Sequence, residues 1–492
     1  MNKLAKLLGY DPVAKKTNVR TELMAGVVTF LAMAYILTVN PNQIFGSTAS
    51  PYWASAFIAT ALGAVVGTLL MAFVAKMPLA QASGMGLNSM LGGLIGGWAG
   101  AGAAFTPGQA FFLVLVSGLL FFLLSLIKIR GKSIRELMFD GMPVAVRSAI
   151  SVGIGLFIAY IGFQNAGVIV ANQYTQVALV DFTSWAACKY AVVALLGLFI
   201  IAILDKLNVK GSIIFGIIAA TLIGIPFGVT DLSVLTGNVP GISWKFWESF
   251  ANYFTGEHSV FASFINVFTG EGVMPAGVSV FFVIMTVVAM CMIDMFDTMG
   301  TIVGCCGGNR ILSDENNKPR NYGKIMLSDS IATCTGAMLG TSTVTTFVEA
   351  GAGVSAGGRT GLTALSTAAL FFASMFIMPV FAVIPGAATA AALIYVGVLM
   401  MKNNIQEIDF GSAVKATAAF LTIVIMLLSY SITTGIGVGM ISYTLMSTVA
   451  YIAESVKCAV GKKQKPVWDV SVVSIVVALL FCLYFFVPKN LF

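Results

Sequence analysis

The chain shows neither the two-residue alternation of a half-buried strand nor the narrow stripe of a surface helix. It runs instead in blocks that are apolar on every side, such as Val192 to Leu204, separated by short polar breaks. Such blocks fall at about 22–41, 51–76, 82–98, 106–128, 143–165, 185–204 and 211–229, and again at about 277–304, 324–341, 343–356, 360–384, 387–401, 412–432 and 435–453. A last one covers about 468–487. A helix needs about 20 apolar residues to cross a bilayer, so the pattern predicts an all-α polytopic membrane protein of fourteen or fifteen spans. A β-barrel is excluded, because its strands alternate between a lipid face and a lumen.

Composition agrees. The 492 residues are 58% hydrophobic and 10% charged, with a mean hydropathy of +0.94, whereas a soluble domain carries roughly 25% charged residues. A soluble globular enzyme and a nucleic-acid partner are both excluded by this balance. The net charge of +7 matters less than where it lies. Lys3, Lys6, Lys15, Lys16 and Arg20 precede the first block, and Lys128, Arg130, Lys132, Arg135 and Arg147 cluster between two later ones. Because Lys and Arg are retained on the cytoplasmic side, the N-terminus is expected inside a cytoplasmic membrane. Counting from there, Lys206, Lys210, Arg310, Lys318, Arg320, Lys324, Lys402 and the run from Lys457 to Lys465 also fall inside, while Lys189 and Lys245 fall outside. The seven cysteines have no ligand-like spacing and read as packing residues, so no metal site or cofactor is expected.

The division expected is a cytoplasmic N-terminus (1–20), seven spans (21–230), an extracytoplasmic connector (231–276), seven spans (277–455), and a basic loop with an extra hydrophobic segment (456–492). An odd number of spans per half requires any internal repeat to be inverted across the membrane. The second and ninth spans supply one. Ala59-Thr60, Gly63-Ala64 and Gly67-Thr68 reappear at identical spacing as Ala332-Thr333, Gly336-Ala337 and Gly340-Thr341. The third and tenth spans both carry a Gly-interrupted stretch, Gly84-Met-Gly-Leu-Asn88 and Gly351-Ala-Gly-Val-Ser355, which predicts two discontinuous helices facing a shared cavity.

Three acids lie deep in apolar blocks: Asp294, Asp297 and Glu349. A carboxylate at membrane depth costs at least ~2.5 kcal/mol, so such a group is expected to face a cavity and serve a task. No Lys or Arg lies within these segments to neutralise them; the nearest to Glu349 is Arg359. Two tasks suit them, accepting N–H donors from a polar ligand and carrying a coupling proton, with Asp294 equally readable as a structural carboxylate. Thr341, Thr343, Thr345 and Thr346 are enough oxygens to keep sodium as the alternative coupling ion. Tyr35, Asn40 and Pro41 close the first span and either line the cavity or, for Pro41, end the helix.

The segments Thr29-Phe-Leu-Ala-Met-Ala-Tyr-Ile-Leu-Thr-Val-Asn-Pro41, Gly84 to Asn88, Phe296-Asp-Thr-Met-Gly-Thr301, Gly340 to Thr346 and Gly357-Gly-Arg-Thr-Gly-Leu-Thr363 resemble the adenine/guanine/hypoxanthine permease branch of the nucleobase/cation symporter-2 family. The resemblance covers about residues 17–455. It implies the uracil-permease type of fold, with a core domain (spans 1–4 and 8–11), a gate domain (spans 5–7 and 12–14) and commonly a homodimer. It further implies that Asp297 and Glu349 hold a purine base, that Asn88 belongs to the site, and that the backbone near Ser83 to Gly86 and Glu349 to Gly351 touches the ligand. Other branches place a second polar residue four positions after the span-8 acid, and here that residue is Thr301. The function expected is purine import by proton symport with alternating access. The alternatives are an anion transporter or channel of the same fold, and a membrane-embedded enzyme using Asp294 and Asp297, which are three apart on a helix.

Overall fold

The computed structural model describes residues 6–97, 103–129, 132–134, 137, 141–209, 211–236, 242–306, 311–313, 319–461 and 468–486. Of the charges used to orient the chain, Lys3, Arg130, Arg135, Lys210, Arg310, Lys318 and those at 462–465 lie outside the described residues. Among the described residues, eight helical segments are long and apolar enough to cross a membrane, beginning with Val19–Phe45 and Trp53–Ala75. Five shorter apolar helices accompany them.

The first segment is two helices, α1 (Val19–Met33) and α2 (Ile36–Phe45). Asn18 caps the first by accepting from the Thr21 N–H. Pro41 does not end the segment; it lies inside α2, which continues to Phe45. Helix α3 (Trp53–Leu70) runs through a π turn, and the chain then extends as strand β1 (Gln81–Ser83) before the short helix α4 (Met85–Ile95). Helix α5 (Pro107–Leu126) starts in a capping box between Thr106 and Gln109, with proline in its first turn where no N–H is needed. Helices α6 (Val144–Asn165), α7 (Trp185–Lys206) and α8 (Ser212–Gly224) follow.

The connector folds as α9 (Phe246–Thr255) and α10 (Val260–Asn266). Helix α11 (Val280–Cys306) carries Asp294 and Asp297. Helix α12 (Tyr322–Met338) stops where Gly340 takes a φ of 82°, and the chain extends again as β2 (Val344–Thr346) before the short helix α13 (Ala350–Ser355). The remaining helices are α14 (Gly361–Ser374), α15 (Met378–Ala382), α16 (Gly386–Asn404), α17 (Ala413–Leu428), α18 (Ile432–Gly461) and α19 (Val472–Phe486). The extra C-terminal segment therefore forms a helix. It leans on α18, where Tyr443 donates to Asp469 at 2.8 Å, and Ser474 donates to the Gly141 carbonyl at 3.0 Å.

The blocks at 82–98 and 343–356 are not continuous spans. Each is a three-residue strand followed by a short helix, and the two strands pair antiparallel with Gln81 opposite Thr346, Ala82 opposite Thr345 and Ser83 opposite Val344. The ladder extends at both ends, through Gly84 N to Thr343 O at 2.8 Å and Phe347 N to Ala80 O at 3.1 Å. Extended backbone at membrane depth needs partners for its N–H and C=O groups, and each strand supplies the other's. The helices pack mainly in two groups. Helices α1 to α5 and α11 to α14 pack mainly with one another around the strand pair, which α2, α3, α11 and α12 flank directly, while α6, α7, α8, α16, α17 and α18 pack with one another. Glycines set the second group's spacing: a methyl built on Gly155 would lie 2.8 Å from Met400 Cβ, and one on Gly162 would lie 2.8 Å from Ile394 Cγ1.

Candidate functional site

The strand pair ends where the two groups meet. A cavity of about 30 Å³ opens there, with one wall from the first group and one from the second. Asp297 and Thr301 reach it from α11, four apart and so on one helix face. Thr346, Phe347, Val348 and Glu349 reach it from the passage between β2 and α13, and Met85 and Gly86 from the start of α4. Opposite stand Ile158 of α6 and Val396 and Met400 of α16. One side thus presents carboxylates and hydroxyls, and the other is apolar.

Glu349 is buried, and its Oε1 accepts the Tyr35 hydroxyl at 2.5 Å. Its Oε2 is also buried and has no hydrogen-bond partner among the described residues. A buried carboxylate oxygen without a donor costs free energy, so it is poised to accept one from outside the protein. Tyr35 comes from the two-residue break between α1 and α2, and its hydroxyl also meets the Met85 sulfur at 3.8 Å. Behind the passage, the Cys305 thiol lies 3.6 Å from the Phe347 carbonyl and 3.4 Å from that of Val348.

The other expected residues are placed around this cavity rather than on its walls. Ser83 is buried and shares a hydrogen bond with Thr341 at 3.0 Å. Asn88 is buried and donates to Gln43 Oε1 at 3.1 Å. Gly351 backs onto α11, where a methyl built on it would lie 3.7 Å from Cys305 Sγ. Asn40 bridges Thr60 at 2.6 Å and Thr341 at 2.9 Å. Asp294, 1% exposed, accepts the Thr333 hydroxyl at 2.9 Å and so ties α11 to α12, away from the cavity. Of the threonines considered for sodium, Thr341, Thr345 and Thr346 all engage neighbouring side chains, and only Thr346 reaches the cavity wall.

Two buried acids escape a reading of the sequence. Asp329 of α12 is fully buried; it accepts Gln81 Nε2 at 2.8 Å and the Thr298 hydroxyl at 2.7 Å. It thereby joins α12 to β1 and to the residue beside Asp297. Its signal was its position inside the block 324–341, masked by the nearby Lys324 and flanking serines. Glu22 is also fully buried and accepts the Arg359 N–H at 3.0 Å, the Thr360 N–H at 3.3 Å and the Thr363 hydroxyl. These contacts lock the start of α1 to the start of α14, just past α13.

A permease family model matches residues 20–438. The guanine/hypoxanthine permease PbuO of Bacillus subtilis (strain 168) is 35% identical over 480 residues, covering 96% of this chain and 98% of that protein. The adenine permease AdeP of Escherichia coli (strain K12) is 35% identical over 470 residues, covering 95% and 93%. Among solved structures, the transmembrane domain of the cyanobacterial bicarbonate transporter BicA superposes with a TM-score of 0.56 at 15% identity, covering 85% of this chain and 97% of that one. That likeness shows a helical membrane transporter fold. The relatives are named as permeases, not as enzymes, which removes the intramembrane enzyme reading. With its motifs, fold and relatives in agreement, the chain belongs to the permease family, in the adenine and guanine/hypoxanthine permease branch.

Proposed function

We propose that the chain is a secondary active transporter that imports purine nucleobases, adenine, guanine or hypoxanthine, by proton symport. The observation that carries this reading is the cavity shared by Asp297 and Glu349, with the unpartnered Glu349 Oε2 on one side and the apolar wall of Ile158, Val396 and Met400 on the other. A purine is planar, with N–H donors on its edge and apolar faces. Carboxylates reading the edge and side chains packing on a face would orient it and reject analogues that lack the donors. The names of PbuO and AdeP support the substrate class. An anion cargo would call for a cation, and among the described residues lining the cavity there is no Lys or Arg.

As it stands, a cavity of about 30 Å³ has room for little more than a water molecule. A base fits only if the two helix groups separate. The first group then serves as core and the second as gate, and alternating access comes from their relative motion around the carboxylates. The finer topology belongs to the same proposal: fourteen spans in two inverted sets of seven, the N-terminus inside a cytoplasmic membrane, and a homodimer. The antiparallel strand pair and the recurrence of strand then short helix support the inversion.

Asp297→Asn and Glu349→Gln are each expected to abolish uptake of labelled hypoxanthine, adenine and guanine while the protein still reaches the membrane. Full uptake by both variants would refute the assignment. In vesicles, an imposed pH gradient without sodium is expected to drive accumulation of the unchanged base; accumulation that requires sodium would replace the proton as coupling ion.

A further inference from the structure

A second cavity, of about 200 Å³, lies between α4, α6, α11 and the turn joining α17 to α18. The two cavities share one lining residue, Gly86. Three isoleucines from three helices converge there. A methyl built on Gly86 would lie 3.2 Å from Ile432 Cδ1, 3.7 Å from Ile154 Cγ2 and 3.9 Å from Ile293 Cγ2. Gly86, where the two cavities abut, is therefore ringed by apolar side chains that form a neck, and Ile432 makes the nearest approach to it.

Ile432 is also the member of the neck best placed to move. It is the first residue of α18, directly after the turn Ser429 to Ser431, in which Tyr430 holds a left-handed φ of 51°. That conformation costs a non-glycine residue about 1–2 kcal/mol, and the edge contacts of Tyr430 with Phe157 (5.3 Å) and Tyr160 (6.1 Å) help to hold it. A β-branched side chain in a helix has few rotamers, so Ile432 acts as a stiff stopper that must be carried aside with its helix. Gly86 and Ile432 belong to opposite helix groups, so any separation that widens the carboxylate cavity also opens the neck. The larger cavity combines the rings of Phe157, Phe282 and Tyr430 with the hydroxyls of Ser89 and Thr286, and its described lining carries no charged side chain. It suits the passing of a flat, polar-edged molecule without tight capture.

We propose that Ile432 is a gate residue, closing on Gly86 between a vestibule and the carboxylate cavity and limiting the size of the molecule admitted. For the identity of the cargo alone, this rests on the purine reading above. The test uses the purified full-length protein in detergent with Thr301→Cys as a reporter inside the carboxylate cavity. Labelling by a charged methanethiosulfonate is followed with and without Ile432→Ala, and the native cysteines are subtracted using the same pair without the reporter. Ile432→Ala is expected to speed reporter labelling about ten-fold and Ile432→Phe to slow it; equal rates in all three would overturn the gate. Should Ile432→Ala fail to purify as a folded protein, Ile432→Val is read in the same way, with a smaller rise expected and an unchanged rate again overturning the gate. In cells, purines bearing a bulky alkyl group are expected to compete for uptake into Ile432→Ala at about ten-fold lower concentration than into the parent. An unchanged competition profile would overturn the selectivity role. Faster labelling with no purine uptake by the parent protein would leave the gate standing and remove the purine reading.

Discussion

A hydrogen bond from Tyr35 ties the first span to the carboxylate cavity. Tyr35 donates to Glu349 Oε1 across more than three hundred residues of sequence, leaving Oε2 as the free acceptor on the cavity wall. A hydrogen bond to a charged group contributes about 1.5–3 kcal/mol, so Tyr35→Phe is expected to weaken uptake roughly ten- to hundred-fold at limiting base concentration, with the protein still folded. Uptake equal to that of the parent would show that Tyr35 does not position the acid. Asp297 and Glu349 could be found in the sequence because a carboxylate inside an apolar block stands out. The partner choices could not. Asp294, only three residues from Asp297, is turned to Thr333, and no spacing rule separates the two roles.

Between these residues lies the strand pair, which exists because small residues let two helices close on it. A methyl built on Gly67 of α3 would lie 2.6 Å from Val344 Cγ1, and one on Gly336 of α12 would lie 2.5 Å from Val344 Cγ2. The repeated Gly motif of the second and ninth spans thus grips one side chain of β2 from two sides. Gly336→Ala is expected to overpack this contact, lowering stability by about 1–3 kcal/mol and reducing uptake, and Val344→Ala added to it is expected to restore part of both losses. A thermal shift and uptake assay of the two variants would check this; a single variant with unchanged melting and transport would mean that the contact is slack. The recurrence of the motif was legible in the sequence, as was the interruption of the third and tenth spans. That the interruptions would pair as strands was not, because three-residue strands of Gln81 to Ser83 and Val344 to Thr346 carry too little periodicity to distinguish them from loop.

For the molecule as a whole, orientation is the property that charge predicts and folding leaves open. Val13 is 86% exposed ahead of α1, and Tyr174 is 91% exposed at the tip of the hairpin that follows α6. With the N-terminus inside, Tyr174→Cys is expected to react with an impermeant thiol reagent on intact cells, and Val13→Cys only after permeabilisation. The reverse pattern would invert the topology and place the vestibule of the larger cavity on the cytoplasmic side. The close glycine packing of α6 on α16 makes that pair a rigid wall, so the proposed motion between the helix groups is expected at the apolar contacts around the carboxylates rather than within either group.

The sequence by itself determined the solvent, the helical class, the order of the apolar segments, the sites of the two breaks and the three candidate acids, Asp294, Asp297 and Glu349, from which the cavity takes two. These are local properties, since hydrophobicity over some twenty residues and a lone carboxylate within such a block are decided by neighbours along the chain. Only the tertiary structure decided which buried acid faces the cavity and which ties helices together. It alone showed Asp329 and Glu22 as buried anchors, and it alone set Ile432 over Gly86. Those choices depend on contacts between segments hundreds of residues apart, where the desolvation of each polar group is offset by whichever donor the packing brings within reach.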